Sequence, residues 1–541
     1  MADKFDVFST KFANDIFKQK YSLNQTETWA DTARRVTDAV CSQLVDSKTK
    51  EKIYSIILER KFIPGGRYLY SAGRSFHQVN NCFLFRAEDS REGWADMMGK
   101  VTSALLTGGG IGVDYSALRP EGAIIKRTGG TSTGPIAHMQ MVNEAGRYIM
   151  QGGQRRSAIW AGLNWKHGDI SKFMHIKDYS PELKALKEKD LHFPLPMELT
   201  NISSIYDTEF FVAMEDENHP NHFHAKLTWM DNCRQAFMTA EPGMSFNFRK
   251  DAESLRNACT EVTSEDDSDK CNLGTLWINR IKDRKELAEV TKYATIFLLC
   301  GSIYSDVPNA KIREVGNKNN RIGLGLGGIH EWLMMRGEGY EVTPELHKWL
   351  SVYEQESDGA AFVYAKQLGV SVPKGVRAIA PTGTIGIISE TTTGIEPLFC
   401  KSYKRRYFKD NKWMYQYVVD GSVKRLLDQG VKLEDIQDSY DLTFKQRVKF
   451  QADVQNYVDM AISSTCNVPA WGSEANNESN LQEKADILFK YAKRLRGFTV
   501  YPDGARGGQP LTRVDLTEAM TSEGQVFEET ERECLNGVCG L

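Results

Sequence analysis

Asn257-Ala258-Cys259-Thr260-Glu261 places an amide, a thiol and a carboxylate at alternate positions of a five-residue string. In an extended segment successive side chains point to opposite sides, so this spacing predicts all three groups on one side of the chain. A redox-capable sulfur then stands between a hydrogen-bonding amide and a carboxylate able to exchange protons, the outline of a catalytic trio. Short coincidences are common, and a lone cysteine is more often a small buried apolar residue. The weight therefore falls on how the other cysteines are placed.

The chain has 10 cysteines in 541 residues. Cys41, Cys233, Cys300, Cys400 and Cys466 stand in mixed or apolar contexts and are expected to pack. Five stand apart: Cys82 in Asn80-Asn81-Cys82-Phe83-Leu84-Phe85, Cys259, Cys271 in Cys271-Asn272-Leu273-Gly274-Thr275, and the terminal Cys534 and Cys539. No paired C-x2-C zinc spacing occurs among them. Cys534 and Cys539 are separated by four residues that include Gly537, so the chain can fold back and bring the sulfurs together. They follow an acidic polar stretch, and residues 521–541 are expected to be a flexible tether whose dithiol swings to its target for thiol–disulfide exchange. The alternatives are an exposed pair without function, or two ligands of a metal completed elsewhere.

Lys plus Arg number 68 against 71 Asp plus Glu, with both signs mixed along the chain, so no basic field points to nucleic acid as a partner. The N-terminus has no basic-then-apolar leader, and no run of about 18 apolar residues occurs. These features exclude a membrane partner and predict a cytoplasmic chain. Helical patterning over 1–65, as in Glu27 to Val36, predicts an N-terminal helical region. Short apolar runs such as Ala378-Ile379-Ala380 and Phe498-Thr499-Val500-Tyr501 alternate with longer helical stretches, which predicts an α/β core. Gly323-Leu324-Gly325-Leu326-Gly327-Gly328 lacks the Lys-Ser/Thr of a P-loop and the G-x-G-x-x-G spacing. Close packing of a strand or helix is the expectation there.

The ordered set Asn-Cys-Phe-Leu at 81–84, Asn-Ala-Cys-Thr-Glu at 257–261, Cys-Asn-Leu-Gly at 271–274, Pro-Thr-Gly-Thr-Ile at 381–385, Gly-Ile-Glu-Pro-Leu-Phe at 394–399 and the terminal Cys-x4-Cys resembles the catalytic subunit of ribonucleotide reductases. The resemblance runs from about residue 60 to the end. Its usual trio is Asn-Pro-Cys-Gly-Glu, so Ala258 and Thr260 depart from it while the three functional positions match. The resemblance implies a ten-stranded α/β barrel over 66–520, made of two five-stranded parallel halves, with the radical cysteine at the tip of an inserted loop. It also implies a transient thiyl radical on Cys259, proton acceptance by Glu261 and a substrate hydrogen bond from Asn257. Cys82 and Cys271 would be the reducing pair, restored by Cys534 and Cys539 and then by thioredoxin or glutaredoxin.

Further expectations follow from the same resemblance. The substrate's phosphates would lie at Thr382, Gly383, Thr384 and Ile385, where small residues and exposed backbone N–H groups suit anions. A nucleotide effector would bind within 89–170, using Asp89, Lys126 and Arg127, with Arg155 in a loop that reports to the active site, and a homodimer is expected. The helical start implies a minimal, virus-like form without an N-terminal ATP-binding domain. No tightly bound metal is expected in the chain, although a zinc-binding cysteine module and a glycyl-radical lyase are rival readings. Relatives fed by a separate subunit carry two adjacent tyrosines where this chain has the single Tyr501, a feature of the adenosylcobalamin branch. No obvious segment embraces a corrinoid, so the expected radical source is a ferritin-like metallo-subunit, with Tyr501 as relay.

Overall fold

A computed structural model describes residues 7–151, 155–190, 193–247, 253–409, 412–505, 511–522 and 525–528. Three amphipathic helices, Lys11–Lys20, Trp29–Cys41 and Ser47–Leu58, open the chain. Thr28 and Asp31 form a reciprocal capping box that starts the second. The helices bury Phe17, Trp29, Val36 and Ile57 in one apolar cluster with the long helix Arg284–Tyr304.

The strands in chain order are β1 (Phe62–Pro64), β2 (Cys82–Arg86), β3 (Gly110–Asp114), β4 (Met150–Gln151), β5 (Arg155–Arg156), β6 (Ile159–Asn164), β7 (Thr200–Asp207), β8 (Gly243–Asn247) and β9 (Leu255–Arg256). They continue with β10 (Thr263–Ser264), β11 (Asp269–Trp277), β12 (Ile322–Gly327), β13 (Ser402–Lys409), β14 (Lys412–Val419), β15 (Thr465–Val468), β16 (Gly497–Pro502), β17 (Leu511–Arg513) and β18 (Val526–Glu528). A 10-stranded, mostly parallel sheet has the order β1-β11-β2-β3-β6-β7-β8-β16-β15, with β12 also on β11. β2, β3, β6, β7 and β8 run parallel to their neighbours. At both edges of this block the direction reverses, β11 lying antiparallel to β2 and β16 antiparallel to β8. Beyond each reversal the pairing is parallel again, β11 with β12 and β15 with β16.

Residues 376–379 lie between the two outer edges. Leu324 of β12 bridges Arg377 and Ile379 bridges Ile462, both in parallel sense. Ala378 N–H donates to the Leu324 carbonyl at 3.2 Å, and Ser463 N–H to the Ile379 carbonyl at 2.9 Å. Every residue of β11 is buried, as expected of a strand covered on both faces. Its outer side packs on helix Arg284–Tyr304. Leu273 and Cys271 join Cys82, Leu84, Leu255, Val262, Ala378 and Met460 in a separate inner cluster.

The glycine run at 323–328 is β12 and the turn after it, close-packed as expected. A side chain on Gly325 would stand 2.7 Å from the Ala378 carbonyl oxygen, so only hydrogen fits there. The five cysteines expected to pack are buried. Two expectations shift. The helical opening gives way to β1 before residue 65. Part of the expected tether is also ordered: β18 pairs antiparallel with β14, and Phe527 stacks on Tyr415 with ring centroids 5.2 Å apart. An aromatic side chain in an otherwise polar stretch supplies the contact energy that holds it. Among the described residues no helix is long and apolar enough to cross a membrane.

Candidate active site

The trio sits at the tip of a short hairpin. β9 pairs antiparallel with β10, Arg256 opposite Thr263 and Leu255 opposite Ser264, which leaves residues 257–262 as the loop. The expected extended segment is therefore replaced by a turn. Thr260 N–H donates to the Asn257 carbonyl at 3.0 Å, and Thr260 takes the left-handed backbone conformation with φ 71°. A strand would have aimed the three side chains one way by alternation. The turn instead gathers them by curling the chain around its own Asn257, whose side-chain oxygen accepts from Val262 N–H at 3.0 Å.

β3 makes room for the hairpin. A Cβ on Gly112 would lie 1.8 Å from the Arg256 carbonyl oxygen, and one on Gly110 would lie 3.1 Å from the Ala258 Cβ. Both glycines fall within 89–170, the stretch expected to bind the effector. They are strand residues, and their missing side chains let the hairpin lie directly on the sheet. Asn201 Nδ2 on β7 holds the Ala258 carbonyl at 3.2 Å, and Ala461 N–H holds the Glu261 carbonyl at 2.9 Å. Neither contact is visible in the sequence, since Asn201 and Ala461 stand far from the trio in unremarkable contexts.

The cysteines converge here. Asn257 Nδ2 lies 2.9 Å from Cys82 Sγ, and Cys82 Sγ lies 3.9 Å from Glu261 Oε1. Cys82 on β2 and Cys271 on β11 are directly opposite one another across an antiparallel pair. Such positions bring Cβ atoms to roughly 4.5–5.5 Å, a small strand adjustment from the spacing of about 3.5–4.5 Å of a disulfide. Cys259 is the exposed cysteine among those described. It lies at the loop tip, and the protein packed around its thiol, followed by the Glu261 charge, pushes that thiol well up. Burial likewise pushes the Cys82 and Cys271 thiols well up. All three stay protonated at neutral pH, as hydrogen-atom chemistry needs and thiolate chemistry does not.

Glu261 is 2 % exposed, and its Oε2 has no hydrogen-bond partner. Burial raises its carboxyl to about 7, against the bonds from its backbone, Asn257 and Cys82, which lower it. A buried carboxyl at that value is poised to take and return a proton near neutrality, and its bare oxygen is aimed at something the protein does not supply.

The phosphate-site residues follow the 376–379 segment. Thr382, with φ 50°, precedes the helix Gly383–Ser389. A side chain on Gly383 would meet open space, and the first turn of a helix leaves N–H groups unpaired within it. Thr382 Oγ1 accepts from Gly394 N–H at 3.2 Å, joining this turn to the Gly394–Glu396 block. Gly383 also borders a cavity of about 830 Å³, walled by the β13–β14 ribbon, the 391–399 segment and Tyr501 of β16. Glu396, given no role from sequence, lines it and pairs with Arg447 at 2.7 Å.

The effector-site residues divide. Asp89 pairs with Arg119 at 2.8 Å, and Arg119 donates to the Ile124 carbonyl at 3.3 Å. Ile124 bridges Thr131, and Lys126 and Arg127 are exposed in the turn between them. Arg119, not singled out from the sequence, thus brings Asp89 and the two basic residues together. Arg155 stands apart, on the two-stranded ribbon of β4 and β5. Cys534 and Cys539 lie outside the described residues. Among the described residues no group of three or more His, Cys, Asp or Glu side chains is placed to hold a metal.

Comparison with known proteins agrees with this arrangement. The profile of the "Ribonucleotide reductase, barrel domain" family matches residues 80–193, 182–349 and 374–501. The vitamin B12-dependent ribonucleoside-diphosphate reductase of Mycobacterium tuberculosis (strain CDC 1551 / Oshkosh) is 26% identical over 522 residues, covering 85% of this chain and 73% of that protein. The protein of the same name from Thermoplasma acidophilum is 25% identical, covering 86% of this chain and 67% of its own length. A putative adenosylcobalamin-dependent ribonucleoside-triphosphate reductase of Mycobacterium phage D29 is 26% identical, covering 84% and 76%.

These names overturn the expected ferritin-like metallo-subunit. All three relatives are named for cobalamin, in keeping with the lone Tyr501, and the relay role given to that residue goes with the subunit. The argument against cobalamin was the missing corrinoid-binding segment, but such a space is made by distant segments folding together. The 830 Å³ cavity is one such space, where the apolar Ile387, Leu398 and Val418 stand beside the hydroxyl and amide groups of Thr391, Ser422 and Asn467. With the profile covering most of its length and the cysteines assembled as described, this chain belongs to the ribonucleotide reductase family, as a catalytic subunit.

Proposed function

We propose that this chain reduces ribonucleotides to 2′-deoxyribonucleotides, with Cys259 as the atom that opens the reaction. One observation carries the reading: Asn257, Cys82 and Glu261 meet within 3.9 Å, with Cys271 directly opposite Cys82 and Cys259 at the open tip between Asn257 and Glu261. Adenosylcobalamin, if held by residues such as Ile387, Leu398, Thr391 and Ser422, would supply the one-electron oxidation that Cys259 needs. The Cys259 sulfur then takes the hydrogen from the ribose 3′ carbon. Glu261 Oε2 accepts the 3′-hydroxyl proton, and Asn257 Nδ2 turns from Cys82 to hold the sugar. The 2′-hydroxyl leaves as water with the proton of one of the Cys82 and Cys271 thiols, the 2′ carbon takes its hydrogen from the other, the two sulfurs join as a disulfide as one electron passes back to the sugar, and Glu261 returns its proton to the 3′ oxygen. Cys259 finally returns the 3′ hydrogen. Cys534 and Cys539 reduce the disulfide by exchange, and thioredoxin or glutaredoxin restores them.

Nine of the sheet strands and residues 376–379 are read as a closed barrel of ten. The parallel bridges through 376–379 supply a further strand between β12 and the segment that leads into β15, so that β2, β3, β6, β7 and β8 would form one parallel half and β11, β12, 376–379, β15 and β16 the other, with β1 set on β11 outside them. The N-terminal helices form its cap, and the dithiol tail follows the last strand. The phosphates are assigned to the turn at Thr382, Gly383, Thr384 and Ile385. Diphosphates are the preferred substrates, since two of the three relatives above are named for them. The effector nucleotide is assigned to the neighbourhood of Asp89, Lys126 and Arg127, with Arg155 on the ribbon that reports to the active site in a homodimer.

The test is turnover of CDP and of CTP with dithiothreitol, with and without adenosylcobalamin. Deoxynucleotide should form only with the cofactor, and Cys259→Ser should form none. Cys534→Ser should keep the activity supported by dithiothreitol and lose that supported by thioredoxin. Product from Cys259→Ser at the parental rate would overturn the reading.

A further inference from the structure

The hairpin that carries Cys259 has only two residue pairs, Arg256 with Thr263 and Leu255 with Ser264. Two pairs do not hold a loop tip to a fraction of an ångström, because an isolated hairpin of that length is not stable. What lies at its base is a buried ionic group. Arg321, immediately before β12 and 1 % exposed in its side chain, donates through Nη2 to Glu253 Oε1 at 2.6 Å and through Nε to Asp269 Oδ2 at 2.8 Å. Glu253 begins the outgoing limb of the hairpin and accepts from Thr263 Oγ1 on the returning limb. Asp269 opens β11, two residues before Cys271, and accepts from Ser264 Oγ at 2.7 Å and from Asn319 Nδ2 at 2.8 Å. Glu253 is 7 % exposed and Asp269 fully buried.

One guanidinium thus touches the two structures whose separation matters: the hairpin bearing Cys259 and the strand bearing Cys271. Building on the function proposed above, we infer that Arg321 is a positioning residue that sets the placement of Cys259 relative to the Cys82–Cys271 pair. Its planar fork is needed because two carboxylates on different segments must be held at once. A lysine at this place has a point charge on a flexible stem and no such fixed pair of donors. A buried ion pair of this kind is weak evidence for stability alone, since apolar packing often replaces it without loss. Its value lies in fixing one geometry. Arg321 touches neither substrate nor reacting atoms, and its effect is exerted through Glu253 and Asp269.

The test compares wild type with Arg321→Lys, Arg321→Met and the milder Ser264→Ala, which removes one link and no charge. Each is assayed for CDP reduction with adenosylcobalamin and dithiothreitol. Thermal unfolding and mass-mapped alkylation of Cys82, Cys259 and Cys271 are followed without cofactor or substrate. Misplacement of a reacting group by about 1 Å costs on the order of 100-fold in rate. Arg321→Lys and Arg321→Met are therefore expected to lose about 100-fold in kcat with KM changed by less than about 3-fold, and Ser264→Ala to lose about 3- to 10-fold in kcat. In both Arg321 variants Cys82 and Cys271, protected in wild type, should become open to alkylation while the fold persists. Unchanged kcat in Arg321→Lys and Ser264→Ala would overturn the inference. So would activity that merely tracks the folded fraction across all three. A wild-type protein that makes no deoxynucleotide would instead overturn the proposed function, and the alkylation pattern would still decide whether Arg321 places the hairpin.

Discussion

Two tight turns of this molecule show opposite ways of holding functional side chains. The 257–262 turn is pressed against glycines of β3, tied by the Asn201 side-chain amide and the Ala461 backbone N–H, and anchored at its base by Arg321. The 124–131 turn lies at the surface, its Lys126 and Arg127 in solvent and its approach held by one half-exposed ion pair, Asp89 with Arg119. The first can place an atom to within a fraction of an ångström, as radical chemistry demands. The second can close on a ligand, because little is lost when its contacts rearrange. On the proposed function, chemistry and regulation would fall to parts of the fold with different local stability.

The largest effect that tests this contrast is at Glu261. Glu261→Gln keeps shape but removes the proton acceptor, and kcat should fall by roughly 10²- to 10⁴-fold, measured by deoxynucleotide formation. In wild type, kcat/KM should rise with pH through about 7 as the carboxyl ionises. The stability effect has the opposite sense. Burial raises this carboxyl from its ordinary 4.5 to about 7 in the fold, so the neutral form is favoured there. Its contribution to stability is complete below about pH 4.5 and is lost as pH rises through 7. At pH 8 Glu261→Gln should therefore be more stable than wild type by on the order of 3 kcal/mol, read by urea unfolding. Equal stability at pH 8 would show that the carboxyl is not buried as described.

Next comes the backbone contact. A methyl on Gly112 would stand 1.8 Å from the Arg256 carbonyl, so Gly112→Ala must push the hairpin off β3. A cost of about 1–3 kcal/mol should accompany a loss of kcat near 100-fold. Gly130→Ala, at the surface turn and without a close backbone neighbour, is the matched control. It should change stability by no more than about 0.5 kcal/mol.

The smallest effect belongs to the surface pair. Arg119→Ala breaks a half-exposed ion pair and should cost less than about 1 kcal/mol, measured by thermal unfolding. Its consequence should appear instead as a weakened response to added nucleotide effectors. A stability loss as large as that of Gly112→Ala would erase the distinction between the two turns.

The make-up of the candidate site was largely legible in the sequence. Cys82, Cys259, Cys271, Asn257 and Glu261 were singled out by chemical type and ordered spacing, and the fold brings them together. The alternation argument for the trio failed, because a left-handed Thr260 makes a turn where a strand was expected. The radical source was misread for a different reason. The single Tyr501 pointed to the cobalamin branch, as the names of the relatives do, but the lack of a recognisable corrinoid segment was given more weight, and a space walled by residues near 12, 391, 420 and 501 cannot be seen in a string of letters.

The sequence by itself determined the reactive groups and the family, because side-chain chemistry and its order along the chain are local and survive any change elsewhere. Tertiary structure alone decided how those groups face one another: the bare Glu261 oxygen, the cross-strand register of Cys82 and Cys271, and the clamp of Glu253, Asp269 and Arg321. Those are relations between residues as much as 68 positions apart in the clamp and 189 across the site. Only packing with its excluded volume, and burial with its cost for unpaired charge, assigns such partners.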